Sequence, residues 1–154
     1  MKRSTIGVAL LVVLSTLGVA RRAAAVTGGT PIEDATADGV VLIYDGSGQC
    51  SGALIAPTVV LTAAHCLTNP AVGDYVVRGG LTPFQDALFT ISASEIHRHP
   101  SFNQSDSSHD VGVLILASAA PATPLPWLRT DEGYYTLGTQ VGMVGYGVTG
   151  SSAS

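Results

Sequence analysis

Charged residues are scarce in this sequence. They make up 12% of its 154 residues, which is about half of the usual share in soluble proteins. Hydrophobic residues make up 46%, enough for a packed core, so disorder along the whole length is not expected. With 18 glycines and 8 prolines, the composition excludes a protein built from long charged helices and favours short strands joined by turns.

Basic residues are especially few, and most of them lie at one end. Four of the seven, Lys2, Arg3, Arg21 and Arg22, fall within residues 1–25, which contain no acidic residue. The remainder therefore carries 3 basic and 11 acidic residues, a formal charge of −8. Because phosphate contacts come mainly from Lys and Arg, this balance argues against a nucleic-acid-binding protein.

The N-terminus has the three regions of an export signal. Lys2-Arg3 precedes an apolar run, Ile6 to Ala20, and the small residues Ala23 to Ala25 follow it. Fifteen apolar residues are short for a membrane span, although a retained anchor flanked by Arg21-Arg22 is the alternative. We therefore predict that residues 1–25 are a signal peptide, that the protein is secreted, and that it has no membrane association once the signal is removed.

Cysteine is nearly absent, since only Cys50 and Cys66 occur. In an exported chain an even pair predicts one disulfide, and closing such a loop contributes about 3 kcal/mol in the chain-entropy model. The alternatives are two buried free thiols, or a zinc site shared with His65. The close cysteine spacing typical of zinc sites is missing and export favours oxidation, so we predict no metal and no cofactor.

Strand patterns recur at short, turn-punctuated intervals, which predicts an all-β fold closed into a small antiparallel barrel. Pro57 separates two of them as a hairpin turn, and Ala63 to Leu67 is too short for more than one helical turn. Three prolines between Ala119 and Pro126 predict an extended connector. The predicted strands are Val40–Tyr44, Cys50–Ala56, Thr58–Thr62, Tyr75–Arg78, Leu88–Ile91, Glu95–His97, Val111–Leu116 and, after the connector, Thr139–Tyr146 without a later partner.

Two residues carry the chemistry that the sequence suggests. His65 lies in Leu61-Thr62-Ala63-Ala64-His65-Cys66, and Asp110 follows His65 by 45 positions at the start of an apolar run. An imidazole can take and return a proton near neutral pH, and a carboxylate can orient it. The alternative is a structural histidine and a surface acid. We expect His97 and His99 to be surface loop residues, and His109 to do no more than occupy the position before Asp110.

A nucleophile to complete this pair is not evident. No serine lies in a Gly-x-Ser-x-Gly or Gly-Asp-Ser-Gly-Gly-Pro segment, and Ser151, Ser152 and Ser154 look like tail residues. In the general template for such a triad, the serine follows the aspartate by roughly 93 residues, which would place it near position 200. We therefore expect a truncated portion that is inactive by itself.

The residues described so far resemble the chymotrypsin/trypsin family of secreted serine endopeptidases. The resemblance is carried by the motifs around His65 and Asp110 and by four further segments: Val26-Thr27-Gly28-Gly29-Thr30, Cys50 to Ile55, His99-Pro100-Ser101-Phe102, and Gly145-Tyr146-Gly147, where Tyr replaces the family's Trp. It implies a trypsin-like fold of two Greek-key β-barrels with the active site between them. Residues 26–118 would form the first barrel, and residues 119–154 the connector and the start of the second.

The resemblance also implies residue roles. His65 would be the general base and Asp110 its orienting carboxylate, kept ionised by the backbone N–H groups of Ala64 and His65. Val26 would be the mature N-terminus, although Ala25 stands where the family commonly has Arg or Lys. Cleavage after Ala20 would instead leave residues 21–25 as a short propeptide.

The missing half would supply the serine and the specificity pocket, so a polypeptide substrate is expected only when that half is present. By itself the chain should expose an apolar cleft face and self-associate. The alternative function is a secreted, non-catalytic protein that binds a partner.

Overall fold

The computed structural model describes residue 32 and residues 38–127 and 137–147. The predicted signal peptide, Val26 and the three serines near position 154 lie outside these residues. Within them, no helix has the length and apolar character needed to span a membrane.

Six strands form one closed antiparallel barrel, as predicted. Around the barrel their order is β1-β2-β3-β6-β5-β4, and β4 closes the ring by pairing with β1. Two three-stranded meanders are thus joined along two seams, β3–β6 and β1–β4, which leaves no free sheet edge in the barrel. The strands are β1 Val40–Tyr44, β2 Gln49–Ala56, β3 Val59–Thr62, β4 Val76–Gly79, β5 Phe89–Arg98 and β6 Gly112–Leu116.

Apolar side chains from all six strands fill the barrel. The three central residues of β1 are buried, and β6 alternates buried and half-buried positions in the period of two that a strand produces. Tyr75, immediately before β4, is fully buried and is the largest side chain of the core. The cluster comprises Val41, Ile43, Leu54, Val60, Leu67, Tyr75, Val77, Ala93, Leu114, Leu116 and Ala120.

Three strand predictions need correction. The predicted strands Leu88–Ile91 and Glu95–His97 are one ten-residue strand, β5, which begins at Phe89, because a register shift between Ala93 and Glu95 lets its pairing with β6 continue. Thr139–Tyr146 is not a strand but irregular chain. A strand needs a pairing edge, and the closed barrel offers it none.

The proline-rich connector lies against the barrel rather than away from it. The N–H of Ala120 donates to the carbonyl of Pro57 at 2.8 Å, and that of Leu125 to the carbonyl of Leu54 at 2.7 Å. Both acceptors belong to the β2–β3 hairpin, so the connector lies against that hairpin.

Beyond the connector, Tyr146 fastens residues 139–147 to the barrel. Its N–H donates to Ser51 Oγ at 2.7 Å, and its hydroxyl lies 2.7 Å from the Gly80 carbonyl and 3.0 Å from the Val40 carbonyl. Burial raises the pKa of this hydroxyl. One residue therefore contacts β1, β2 and the residue directly after β4.

Candidate active site

The register of β3 and β6 brings His65 and Asp110 together. These strands are antiparallel neighbours, and Thr62 pairs with Gly112. His65 lies three residues after Thr62, and Asp110 two residues before Gly112, so both chain segments leave the sheet at the same end. A separation of 45 residues in sequence thus becomes direct contact.

Gly112 allows the turn that carries His65 to pack closely on β6. This turn is a 3₁₀ helix, Ala64–Leu67, within the single helical turn predicted over Ala63 to Leu67. A Cβ at position 112 would lie 2.7 Å from Leu67 Cδ1 and 3.4 Å from Ala64 Cα. Since Ala64 and Leu67 are buried, a side chain at this position would push the His65 turn away from the sheet.

The other side of the His65 turn is held by a disulfide and a tyrosine. Cys50 of β2 and Cys66 form the predicted disulfide, with 6.1 Å between their Cα atoms. The Tyr75 hydroxyl donates to the Asn69 carbonyl at 3.2 Å and accepts the Asn69 N–H at 2.9 Å. The turn is thereby attached to β2 at one point and to the barrel core at another.

Both oxygens of Asp110 bind His65. Nδ1 of His65 lies 2.7 Å from Asp110 Oδ2, and the backbone N–H of His65 donates to Asp110 Oδ1 at 2.8 Å. The Asp110 side chain is 22% exposed, whereas that of His65 is 57% exposed. The carboxylate is therefore partly shielded behind an imidazole that solvent and ligands can reach.

These contacts determine the ionisation of the site. Hydrogen bonds from the His65 side chain and then from its backbone N–H hold the pKa of Asp110 below its ordinary value, with a smaller contribution from the Ala64 N–H. Partial burial opposes this shift. Because an ionised carboxylate only accepts hydrogen bonds, Nδ1 of His65 is the donor in this pair, and in a neutral imidazole ring Nε2 is then the acceptor.

Two features of the site have no clear signal in the sequence. The buried Thr62 hydroxyl donates to the Ser51 carbonyl at 2.9 Å, tying β3 to β2 just before the His65 turn. The rings of His99 and His109 stack with centroids 4.8 Å apart, a contact that the sequence did not lead us to expect. His97 instead pairs with Glu95 on the exposed face of β5.

Three possible metal ligands also lie close together beside the pair of His65 and Asp110, here called the dyad. The sulfurs of Cys50 and Cys66 and a ring nitrogen of His65 lie within 4.8 Å of one another. Both sulfurs are joined in the disulfide, so neither is the thiolate that zinc binds.

Comparison with known proteins agrees with this geometry. The family model described as Trypsin matches residues 26–153. A trypsin from Saccharopolyspora erythraea is 31% identical over 106 residues, which cover 68% of this chain and 47% of that protein. Glucanase inhibitor protein 4 from Phytophthora infestans is 32% identical over 117 residues, which cover 72% of this chain and 44% of that protein.

Solved structures give the same fold. The VesB protease of Vibrio cholerae superposes with a TM-score of 0.55 at 25% identity, and the match covers 62% of this chain and 32% of that one. The chain spans about half the length, or less, of the proteins it matches.

Proposed function

Because this chain belongs to the trypsin family, we propose that it is the N-terminal, base-bearing portion of a secreted serine endopeptidase. The observation that carries the proposal is the contact of His65 with both carboxylate oxygens of Asp110. A partner-binding role places no chemical demand on this arrangement, whereas general-base catalysis requires it.

In this proposal His65 moves the proton. Its free Nε2 accepts the proton of a serine hydroxyl as that oxygen attacks a peptide carbonyl, and the imidazolium later returns the proton to the leaving amine. Asp110 remains ionised, keeps the proton on Nδ1 and stabilises the imidazolium. The lowered pKa of Asp110 supports this role, since protonating the carboxyl would remove the negative charge that stabilises the imidazolium.

The remaining catalytic groups belong, in this proposal, to polypeptide outside the 154 residues. These groups are the nucleophilic serine, the oxyanion donors and the specificity pocket. Residues 26–118 are then the first barrel, and residues 119–154 the connector and the start of a second. The 154-residue polypeptide by itself should not cleave peptides.

Secretion is part of the same proposal. Residues 1–25 are proposed as the signal peptide, with Val26 as the first mature residue. The Cys50–Cys66 disulfide supports an oxidising compartment.

A serine-directed phosphonate probe tests the proposal. The reading frame is extended beyond Ser154 in the source nucleic acid, and the longer and the 154-residue products are both treated with the labelled probe. We expect the longer product to contain a Gly-Asp-Ser-Gly-Gly segment and to be labelled, and the 154-residue product to stay unlabelled. His65→Ala in the longer product should abolish labelling, because the probe reacts only with an activated serine.

Labelling of the 154-residue product would contradict the proposal, as would a longer product that carries the serine and is labelled equally with Ala at position 65. A frame without such a segment would favour the alternative below.

The alternative is a secreted, non-catalytic binding protein. It is favoured by the glucanase inhibitor relative, which is as similar to this chain as the trypsin is. The discriminating experiment measures the activity of a glucanase with and without this protein. Inhibition that persists in the His65→Ala variant, together with no probe labelling, would establish the alternative.

Self-association is proposed for the 154-residue polypeptide. Leu137, Val141 and Met143, which lie within seven residues of sequence, are each more than three-quarters exposed, and exposed apolar side chains favour contact with another molecule. Size-exclusion chromatography should show species larger than a monomer, and a strictly monomeric elution would contradict the proposal.

A further inference from the structure

We propose that His99 and His109 form a stacked pair that positions Asp110 for its hydrogen bonds to His65. The role of these two histidines rests on the proposed function of the dyad, because it serves the orienting carboxylate. It adds two positioning residues, neither of which contributes a hydrogen bond to the dyad itself.

Asp110 lies at the apex of a tight turn. The N–H of Val111 donates to the carbonyl of His109 at 2.8 Å, which closes a three-residue turn around Asp110. The direction of the Asp110 side chain therefore depends on the backbone conformation of His109.

That conformation is an unusual one. His109 has a φ of 55°, in the left-handed region that residues with a Cβ rarely adopt. A turn entered through such a residue is populated only when surrounding contacts favour it over the ordinary right-handed or extended forms. The His109 side chain is exposed, so burial does not supply that preference.

The ring of His99 supplies a suitable contact. The two rings lie nearly parallel, 17° apart, with centroids separated by 4.8 Å, which is within the range of favourable aromatic stacking. Ser101 donates its N–H to Nδ1 of His99 at 3.1 Å. This hydrogen bond fixes the orientation of the His99 ring, with Nδ1 as the acceptor.

His99 also holds the residue on the other side of Asp110. Its backbone N–H donates to the carbonyl of Val111 at 2.9 Å. The ring of His99 thus contacts the residue before Asp110, and its backbone binds the residue after it. Asp110 is fixed from both sides by one residue at the end of β5, and its carboxylate meets His65 as a result.

The experiment measures the geometry of the dyad without any hydrolysis. In the isotope-labelled 154-residue chain, NMR follows hydrogen exchange of the His65 backbone N–H, which donates to Asp110, and the titration of the Asp110 carboxyl. The variants are His99→Ala, which removes the stack; His99→Phe, which keeps an aromatic partner; and His99→Asn, which keeps a side-chain acceptor for Ser101. His97→Ala is the matched control, because His97 is an exposed histidine two residues away that pairs with Glu95.

We expect His99→Ala to speed exchange of the His65 N–H about tenfold and to raise the pKa of Asp110 towards its ordinary value. His99→Phe should restore both, and His97→Ala should change neither. An unchanged His99→Ala variant would overturn the proposal. Rescue by Asn but not by Phe would also overturn it, because the bond to Ser101 and not the stack would then hold the turn.

Since neither readout depends on a serine or a substrate, failure of this proposal is distinct from failure of the proposed peptidase function. If the longer product is labelled by the serine probe but His99→Ala changes neither NMR readout, only the proposed role of the stack is wrong. If His99→Ala changes both readouts but the protein has no peptidase activity, only the proposed catalytic function is wrong.

Discussion

Asp45 and Asp110 are both carboxylates whose pKa lies below the ordinary value, but they reach that state in different ways. Asp45 accepts the N–H groups of Gly48 and Ser47, at 2.7 and 2.9 Å, and the Ser47 hydroxyl. Backbone hydrogen bonds from Gly48 and then Ser47 lower its pKa, and burial opposes them. Every partner lies within three residues.

Asp110 has partners that are distant in sequence. Its two oxygens bind a residue 45 positions away, so its hydrogen bonds exist only once β3 and β6 have paired. Two pKa shifts in the same direction can therefore report different structural features. The shift of Asp45 reports a local Asx-type turn, whereas the shift of Asp110 reports the tertiary structure of the barrel.

The largest expected difference between the two carboxylates is in catalysis. In the catalytically complete protein, Asp110→Asn should lower kcat by on the order of 10⁴-fold, because an amide facing Nδ1 stabilises the wrong tautomer of His65. Asp45→Asn keeps an acceptor oxygen for the turn and should change kcat by no more than about twofold. Steady-state hydrolysis of a peptide substrate measures both. Similar losses in the two variants would refute the distinction.

The second prediction concerns the Cys50–Cys66 disulfide, which holds the turn of His65, the partner of Asp110. The double variant Cys50→Ala, Cys66→Ala should lower the free energy of unfolding by about 2–5 kcal/mol, measured by denaturant titration. Under native conditions, hydrogen exchange of the His65 N–H should accelerate while that of Gly48, within the local turn, should change little. As a control, reducing agent should produce the same loss in the original protein. Equally faster exchange of the His65 and Gly48 N–H groups would contradict the view that only the Asp110 hydrogen bonds depend on tertiary structure.

The third prediction concerns the packing of the His65 turn on Gly112 of β6. Gly112→Ala should destabilise the protein by about 1–3 kcal/mol, because the new methyl group overlaps a buried leucine. Thermal unfolding measures the effect. Gly73→Ala is the matched control, since a Cβ there would meet nothing within 4 Å, and it should leave the melting temperature within a few degrees of the original. Full tolerance of Ala at position 112 would show that the close approach is not needed.

Features that depend on neighbouring residues were predictable from the sequence. The predicted strand Val40–Tyr44 matches β1 residue for residue, because a β-branched apolar run bounded by glycine signals specifies both ends. The turn at Pro57 between β2 and β3 was predicted from the ring-locked backbone of proline. His65 and Asp110 were identified as a pair because their motifs occur in an order and spacing that resemble a known family.

Features that depend on tertiary pairing were not predictable. The full length of β5 could not be predicted, because nothing in the sequence around Ser94 indicates the bulge that lets the strand continue opposite β6. The stack of His99 on His109 depends on a left-handed backbone that a histidine adopts only in context. Thr139–Tyr146 has the composition of a strand, but composition cannot reveal that the barrel leaves no edge for it to join.

The contacts of Tyr146 have a consequence for the order of assembly. It donates to three acceptors: Ser51 Oγ and the carbonyls of Val40 and Gly80. All three residues are synthesised well before Tyr146. Because domains tend to form in the direction of synthesis, the receiving surface can be complete when this tyrosine emerges. These hydrogen bonds then attach the nascent chain to the barrel at Tyr146, and any residues translated afterwards start folding from that position.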